Sequence, residues 1–270
     1  MRGNLPGNTI NEGPGPAATE TVTISNTELS CLFDRKHVCP VCDREFTVKT
    51  VKSGTVRSDG MDVDMYQRVV NIDVVKYRVI ECPHCGYADM DTTFDRMMDR
   101  ERKTLKGESL KWSLPDSPSD GEREYEEAFR MYRSAIRCDL IRGAKKGKRA
   151  YTALHAAWVL RGWRNMLTDM GTKVRSEDPM SEEEENKLLR YALKNYKEAE
   201  LTEDFPISGM DEPTFDYLMG ALSYETGNIT DSGKYVLKAL QNKSLKAVIR
   251  IMAEDLRDTL RKERESGHAQ

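Results

Sequence analysis

The chain has 270 residues, 38% of them hydrophobic and 32% charged, enough for one large domain or two modest ones with cores of their own. Its 42 Lys and Arg against 45 Asp and Glu leave no overall field favouring phosphate backbones or anionic membranes, which argues against general nucleic-acid binding. The longest uncharged apolar stretch, Tyr151 to Leu160, is about half the length of a bilayer-crossing helix, so no membrane association is expected.

Residues 1–28 are rich in Gly, Pro, Asn and Thr, with too few large apolar side chains to offset the entropy of ordering them, and a disordered tail is expected there. The tail has no apolar segment followed by a small-residue cleavage site, and a cytoplasmic location is expected. Four of the six cysteines fall into two CxxC pairs, while Cys31 and Cys138 stand alone. That distribution suits a reducing compartment and a metal site better than a disulfide framework.

A small β domain is expected over 29–103, with strand-like runs at Phe46-Thr47-Val48 and from Val74 to Ile80 flanking the cysteine pairs. Cys39-Pro40-Val41-Cys42 and Cys82-Pro83-His84-Cys85-Gly86 are separated by 39 residues, room for a hairpin or three-stranded insert that brings two knuckles face to face. Four thiolates at about 2.3 Å satisfy tetrahedral zinc and leave no open position, so Cys39, Cys42, Cys82 and Cys85 predict one structural zinc rather than a catalytic one. The metal should decide whether so small a domain folds, since a structural zinc contributes about 10–16 kcal/mol and a core of this size rarely more than about 5. Iron in a rubredoxin-like site is the alternative, because spacing does not separate the two metals. Thiol redox chemistry is weaker, since a reactive CPHC should open a helix in a βαβ context and here Gly86 follows at once. With four thiolates completing the shell, His37 and His84 are expected beside the site or exposed, and no role is assigned to His155, His268, Cys31 or Cys138.

Residues 104–121 include a polar Pro/Ser/Gly stretch and read as a linker. Helices are expected at 122–142, 148–169, 182–203, 212–226, 230–242 and 245–264, the whole helical domain spanning 122–264 and a frayed C-terminus 265–270. Ser181 and Glu184 form a capping box, and the run Glu182 to Glu185 reads as a solvated first turn favoured by the helix dipole. Gly227-Asn228 supplies a turn between helices. Ala128/Tyr132/Ala135, Ala192/Tyr196/Ala199 and Ser232/Val236/Ala239 repeat the same offsets, so each triplet should pack one helical face closely on a neighbour. Gly220, Gly227 and Ala239 match the tetratricopeptide pattern, although the copies lie 64 and 40 residues apart rather than at a constant 34, which leaves a plain helical bundle open. The fold class expected is α+β, mostly α: a zinc-ribbon-like head followed by tetratricopeptide-like hairpins.

Several of these residues resemble the uncharacterised prokaryotic family known as domain of unknown function 2225. The resemblance rests on Leu32-Phe33-Asp34-Arg35-Lys36 leading into CPVC, Tyr66 and Asn71 in the insert, and the Tyr77 to Ile80 strand entering CPHCGYA. Ala156-Ala157-Trp158 and the segment from Tyr217 to Leu240 look like that family's tail. It implies a zinc-ribbon-like head on stacked helices and no established activity. Asp43 departs from the Gly that usually follows the second knuckle cysteine, a left-handed position that Asp tolerates.

The function expected is a non-enzymatic adaptor whose helical hairpins offer a groove to a protein or peptide partner. A packing scaffold is the plainer reading, and Trp158, Arg161, Trp163 and Arg164 have the composition of either an interface anchor or a core. The rival class is a nucleic-acid-binding zinc ribbon, suggested by the basic stretch 142–149. An enzyme is the least supported class, since neither a phosphate-binding loop nor a nucleophile motif is present.

Overall fold

The computed structural model describes residues 25–109 and 121–267; most of the expected tail and linker, and His268, lie outside them. The fold is α+β and mostly α. A short helix α1 (Ser25–Ser30) leads into the hairpin β1 (Leu32–Val38) and β2 (Glu45–Val51), paired from Leu32↔Val51 to Val38↔Glu45 around the first CxxC turn. A second hairpin, β3 (Ser58–Met61) and β4 (Gln67–Val69), lies in the insert. A 3-10 helix (Val74–Tyr77) then precedes a third hairpin, β5 (Val79–Glu81) and β6 (Ala88–Met90), around the second CxxC turn. The head is therefore three separate two-stranded antiparallel sheets.

Three expectations in this region change. The run from Val74 to Ile80 is not one strand: the Asp73 side chain accepts the N–H of Val75 and starts a 3-10 turn, so only its end pairs as β5. Residues 25–28 are already structured, because Glu28 in α1 bonds the Lys76 ammonium at 2.7 Å and accepts the Tyr77 hydroxyl at 2.5 Å. The head also extends past 103 into the supposed linker as helix α2 (Asp99–Ser109), which carries Leu105, fully buried, into the core around the cysteines.

The helices follow as α3 (Tyr125–Ile141), α4 (Lys146–Asp169), α5 (Glu182–Thr202), α6 (Glu212–Glu225), α7 (Ile229–Gln241) and α8 (Ala247–Gly267). Each lies within three residues of its expected bounds. Helix α3 starts late because Arg123 turns inward, donating to the carbonyls of Lys76 at 2.7 Å and Val79 at 3.0 Å. Helix α8 continues to Gly267, through residues expected to fray. Ser181 caps α5 by accepting the Glu184 N–H at 3.4 Å, and Gly227, at φ 84°, turns the chain between α6 and α7.

All nine positions of the repeated triplets are at most 1% exposed. They lie on α3, α5 and α7; α4 packs between α3 and α5, and α6 packs against α7. Small residues set that last spacing: a Cβ added at Gly220 would sit 2.7 Å from Val236 Cγ2 and 3.2 Å from the Val236 backbone nitrogen. On α3 the corresponding face is covered by the head instead. Tyr66, Val75, Val79, Ala88 and Met90 pack there with Ala128, Tyr132 and Ala135, and the Tyr132 hydroxyl donates to the Val75 carbonyl at 2.9 Å.

Candidate metal centre

The two CxxC turns have the same backbone geometry. In the first, Asp43 N–H donates to the Cys39 carbonyl at 2.9 Å and Cys39 N–H to the Arg44 carbonyl at 3.0 Å. In the second, Gly86 N–H donates to the Cys82 carbonyl at 2.9 Å and Cys82 N–H to the Tyr87 carbonyl at 2.8 Å. Both turns need a left-handed residue after the second cysteine, supplied by Asp43 at φ 60° and Gly86 at φ 74°. Asp43 thus adopts a backbone conformation that favours glycine, and its carboxylate pairs with Arg102 of α2.

The turns face each other and bring the four sulfurs within 4.8 Å of one another. Cys39 Sγ lies 3.6 Å from Cys85 Sγ, and Cys42 Sγ lies 3.7 Å from Cys82 Sγ. A tetrahedron of sulfurs with metal–sulfur bonds of about 2.3 Å has edges of about 3.8 Å, so the donor set suits a tetrahedral thiolate-bound metal ion. Cys39, Cys82 and Cys85 are buried and Cys42 is half-buried, against Val41, Phe46, Ile80, Tyr87, Phe94 and Leu105. Without a cation the thiols must share protons: hydrogen bonds from Cys39 and Cys85 pull Cys82 far below the usual thiol range, and as donors Cys39 and Cys85 are pushed up. A divalent cation replaces those protons and stabilises all four thiolates together.

Neither nearby histidine joins the cluster. His37 packs against both Phe46 and Phe94, its ring held neutral by burial, and the partly exposed His84 has its Nε2 3.2 Å from the Glu45 carbonyl. Cys138 lies in the same core, accepting the Ala88 N–H at 3.4 Å, its thiol pushed up to about 12 by burial. Cys31 is buried in a separate cluster with Leu32, Ile72 and Tyr77.

Part of each residue group weighed as a partner site turns inward. Within the basic stretch, Arg142 pairs with Asp89 at 2.9 Å and Asp139 at 2.5 Å, and Lys148 pairs with the same two carboxylates. This joins α3 and α4 to β6 of the head. Arg161 pairs with Asp62 at 3.1 Å, Asp64 at 2.9 Å, Glu185 at 2.6 Å and Glu225 at 3.1 Å, while Trp158 Nε1 donates to Asp64 at 2.7 Å. Glu185 is therefore a buried partner of Arg161 and Arg164, not part of a solvated first turn. Asp62 and Asp64 belong to the insert between the cysteine pairs, and the Tyr217 hydroxyl of α6 donates to the neighbouring Val63 carbonyl at 2.7 Å. Sequence reasoning did not foresee this clasp, whose only trace was the Asp-rich run 59–64 between weak strands.

Residues 32–260 match the family described as an uncharacterized protein conserved in bacteria, DUF2225, and the chain belongs to that family. No curated protein and no solved structure matches it.

Proposed function

We propose that this family member is a non-enzymatic scaffold held together by one structural zinc on Cys39, Cys42, Cys82 and Cys85, and that its tetratricopeptide-like helices serve a protein or peptide partner. The closed set of four sulfurs inside a hydrophobic core carries the reading: every ligand position of a tetrahedral ion is met by the protein, which favours a fold-supporting role over chemistry at the metal. Zinc is preferred to iron because the centre lies among core side chains, whereas electron transfer favours an exposed one. Six free cysteines suit a reducing compartment such as the cytoplasm, and among the described residues no helix is long and apolar enough to cross a membrane.

The partner surface on this reading is an outer face of the helices, since the insert occupies inner ones. Helix α8 leaves Val248 and Ile251, three residues apart, about 60% exposed. Nucleic-acid binding through 142–149 is disfavoured because Arg142 and Lys148 already neutralise buried carboxylates.

Elemental analysis of the purified full chain tests the metal. One equivalent of zinc, lost in Cys39→Ser and Cys82→Ser together with the ordered head, is the expected result. Iron, or no metal with a titratable reactive thiol, would replace this function with electron transfer or redox chemistry. For the partner, retention on the full chain should survive moderate salt and weaken in a Val248→Glu/Ile251→Glu variant. Salt-sensitive retention on DNA or RNA would favour the rival class.

A further inference from the structure

A cavity of ≈ 330 Å³ lies where the insert and the 3-10 segment meet α4, α5 and α6, within the size range of pockets that hold small organic molecules. One wall is aromatic. Tyr151, His155 and Trp158 fall at i, i+4 and i+7 on α4, with ring centroids 4.1 and 4.4 Å apart along the series. Tyr66 of the insert stacks on Trp158 at 5.8 Å and 28°, so head and helices build the wall together.

His155 provides a hydrogen-bonding point on this wall. Its Nδ1 lies 3.0 Å from the Tyr151 carbonyl, and a carbonyl only accepts, so Nδ1 carries the proton and Nε2 is a bare acceptor. The residue is 6% exposed, and burial with the Arg78 charge holds the ring neutral, its pKa lowered to about 3. Among the described residues no group donates to Nε2. The Tyr196 hydroxyl and Ser208 Oγ, from two other lining residues, lie close to each other but are buried beneath the cavity surface. The His155 acceptor on the cavity lining, without a donor among the described residues, marks a point that a polar ligand completes.

Charge narrows the ligand class. Asp64 and Asp73 line the cavity with a single guanidinium, that of Arg78, which is paired with Asp91 at 3.3 Å. Asp64 is already neutralised by Arg161 at 2.9 Å and, among the described residues, no unpaired cation lines the cavity, so a phosphate or carboxylate entering would be desolvated without a counter-charge, whereas a neutral ring needs none.

We propose that this cavity binds an uncharged planar heteroaromatic molecule of the nucleobase or nucleoside class, its ring against Tyr66 and Trp158 and an N–H donated to His155 Nε2. The site is separate from the cysteine cluster and adds small-molecule binding to the scaffold.

The test uses the full metal-loaded chain carrying Trp112→Phe and Trp163→Phe, which leaves Trp158 the sole tryptophan of three. Adenosine, guanosine and uridine are titrated while Trp158 emission and the melting temperature are followed, with AMP as the charged comparison. The expected result is saturable quenching and a raised melting temperature for at least one nucleoside. His155→Phe, which keeps the ring but removes the acceptor, should weaken binding about tenfold, the worth of one such hydrogen bond. Tyr66→Leu, which removes one of the two rings the ligand stacks on, provides a second reading should that variant fail to fold. The proposal is overturned if no nucleoside alters either signal, if binding leaves Trp158 emission unchanged, if AMP binds more tightly than adenosine, or if the folded variants bind as well as the parent.

Discussion

Asp43 and Gly86 occupy equivalent left-handed positions after the second cysteine of each knuckle, and only one of them is glycine. An L residue with a side chain is strained there by about 1 kcal/mol, which Asp partly offsets by local hydrogen bonding. Its ion pair with Arg102 is largely exposed and worth little. Asp43→Gly should therefore raise the stability of the metal-loaded protein by up to about 1 kcal/mol, whereas Asp43→Val should lower it by more, both read from denaturant unfolding. Glu225 illustrates a second residue-scale effect: burial, then the Asp64 charge, raise its carboxyl from 4.5 to about 8 against the opposing pull of Arg161. The folded protein then holds a proton that the unfolded chain releases, so this contribution is complete below pH 4.5 and declines as pH rises towards 8. Glu225→Gln should flatten that decline, melting a few °C above the parent at pH 8.5 but close to it at pH 5; a constant difference across this range would count against the shifted carboxyl.

At the scale of elements, helices with a broad apolar face were readable and the others were not. Helix α2 escaped because DRERKTLKGES has one large apolar residue, Leu105, so nothing periodic marks it; its place depends on the cysteine core that Leu105 enters. The strand at Val74 was misread because β-branched residues suit a pleat, yet Asp73 offers the backbone a competing turn. The repeated small residues, by contrast, carried a real packing rule, as the approach of α6 to α7 at Gly220 shows. Gly220→Ala gains helix propensity but forces its Cβ against Val236, including a backbone atom that cannot rotate away, so a net loss of about 1–3 kcal/mol is expected. Shortening the facing side chain with Val236→Ala should lower the further cost of adding Gly220→Ala in a double-mutant cycle; additive effects would show that the two sites do not touch.

For the whole molecule, the head and helices are joined by two charged clasps, Arg142 with Lys148 on Asp89 and Asp139, and Arg161 on the insert. Apolar packing of the head on α3 completes the junction. On the structural-zinc reading, removing the metal should therefore have consequences beyond the head. Chelation at neutral pH is expected to expose the Ala128/Tyr132/Ala135 face, seen as dye binding and faster amide exchange in α3, while the α6 to α8 amides stay protected. A head that loosens without any change at α3 would show that the junction does not depend on the metal.

The cysteine cluster, the class of fold and six helices within three residues of their ends were determined by the sequence itself, because knuckle spacing and helical periodicity are local properties of the chain. The inward turn of Arg142, Lys148, Trp158, Arg161 and Glu185, and the cavity lined by Tyr66 and His155, were decided only by tertiary structure. A charged or aromatic side chain reads the same in sequence whether it meets water or a buried partner about a hundred residues away. What separates the two cases is the desolvation cost of its counter-charge, which exists only once the head has docked on the helices.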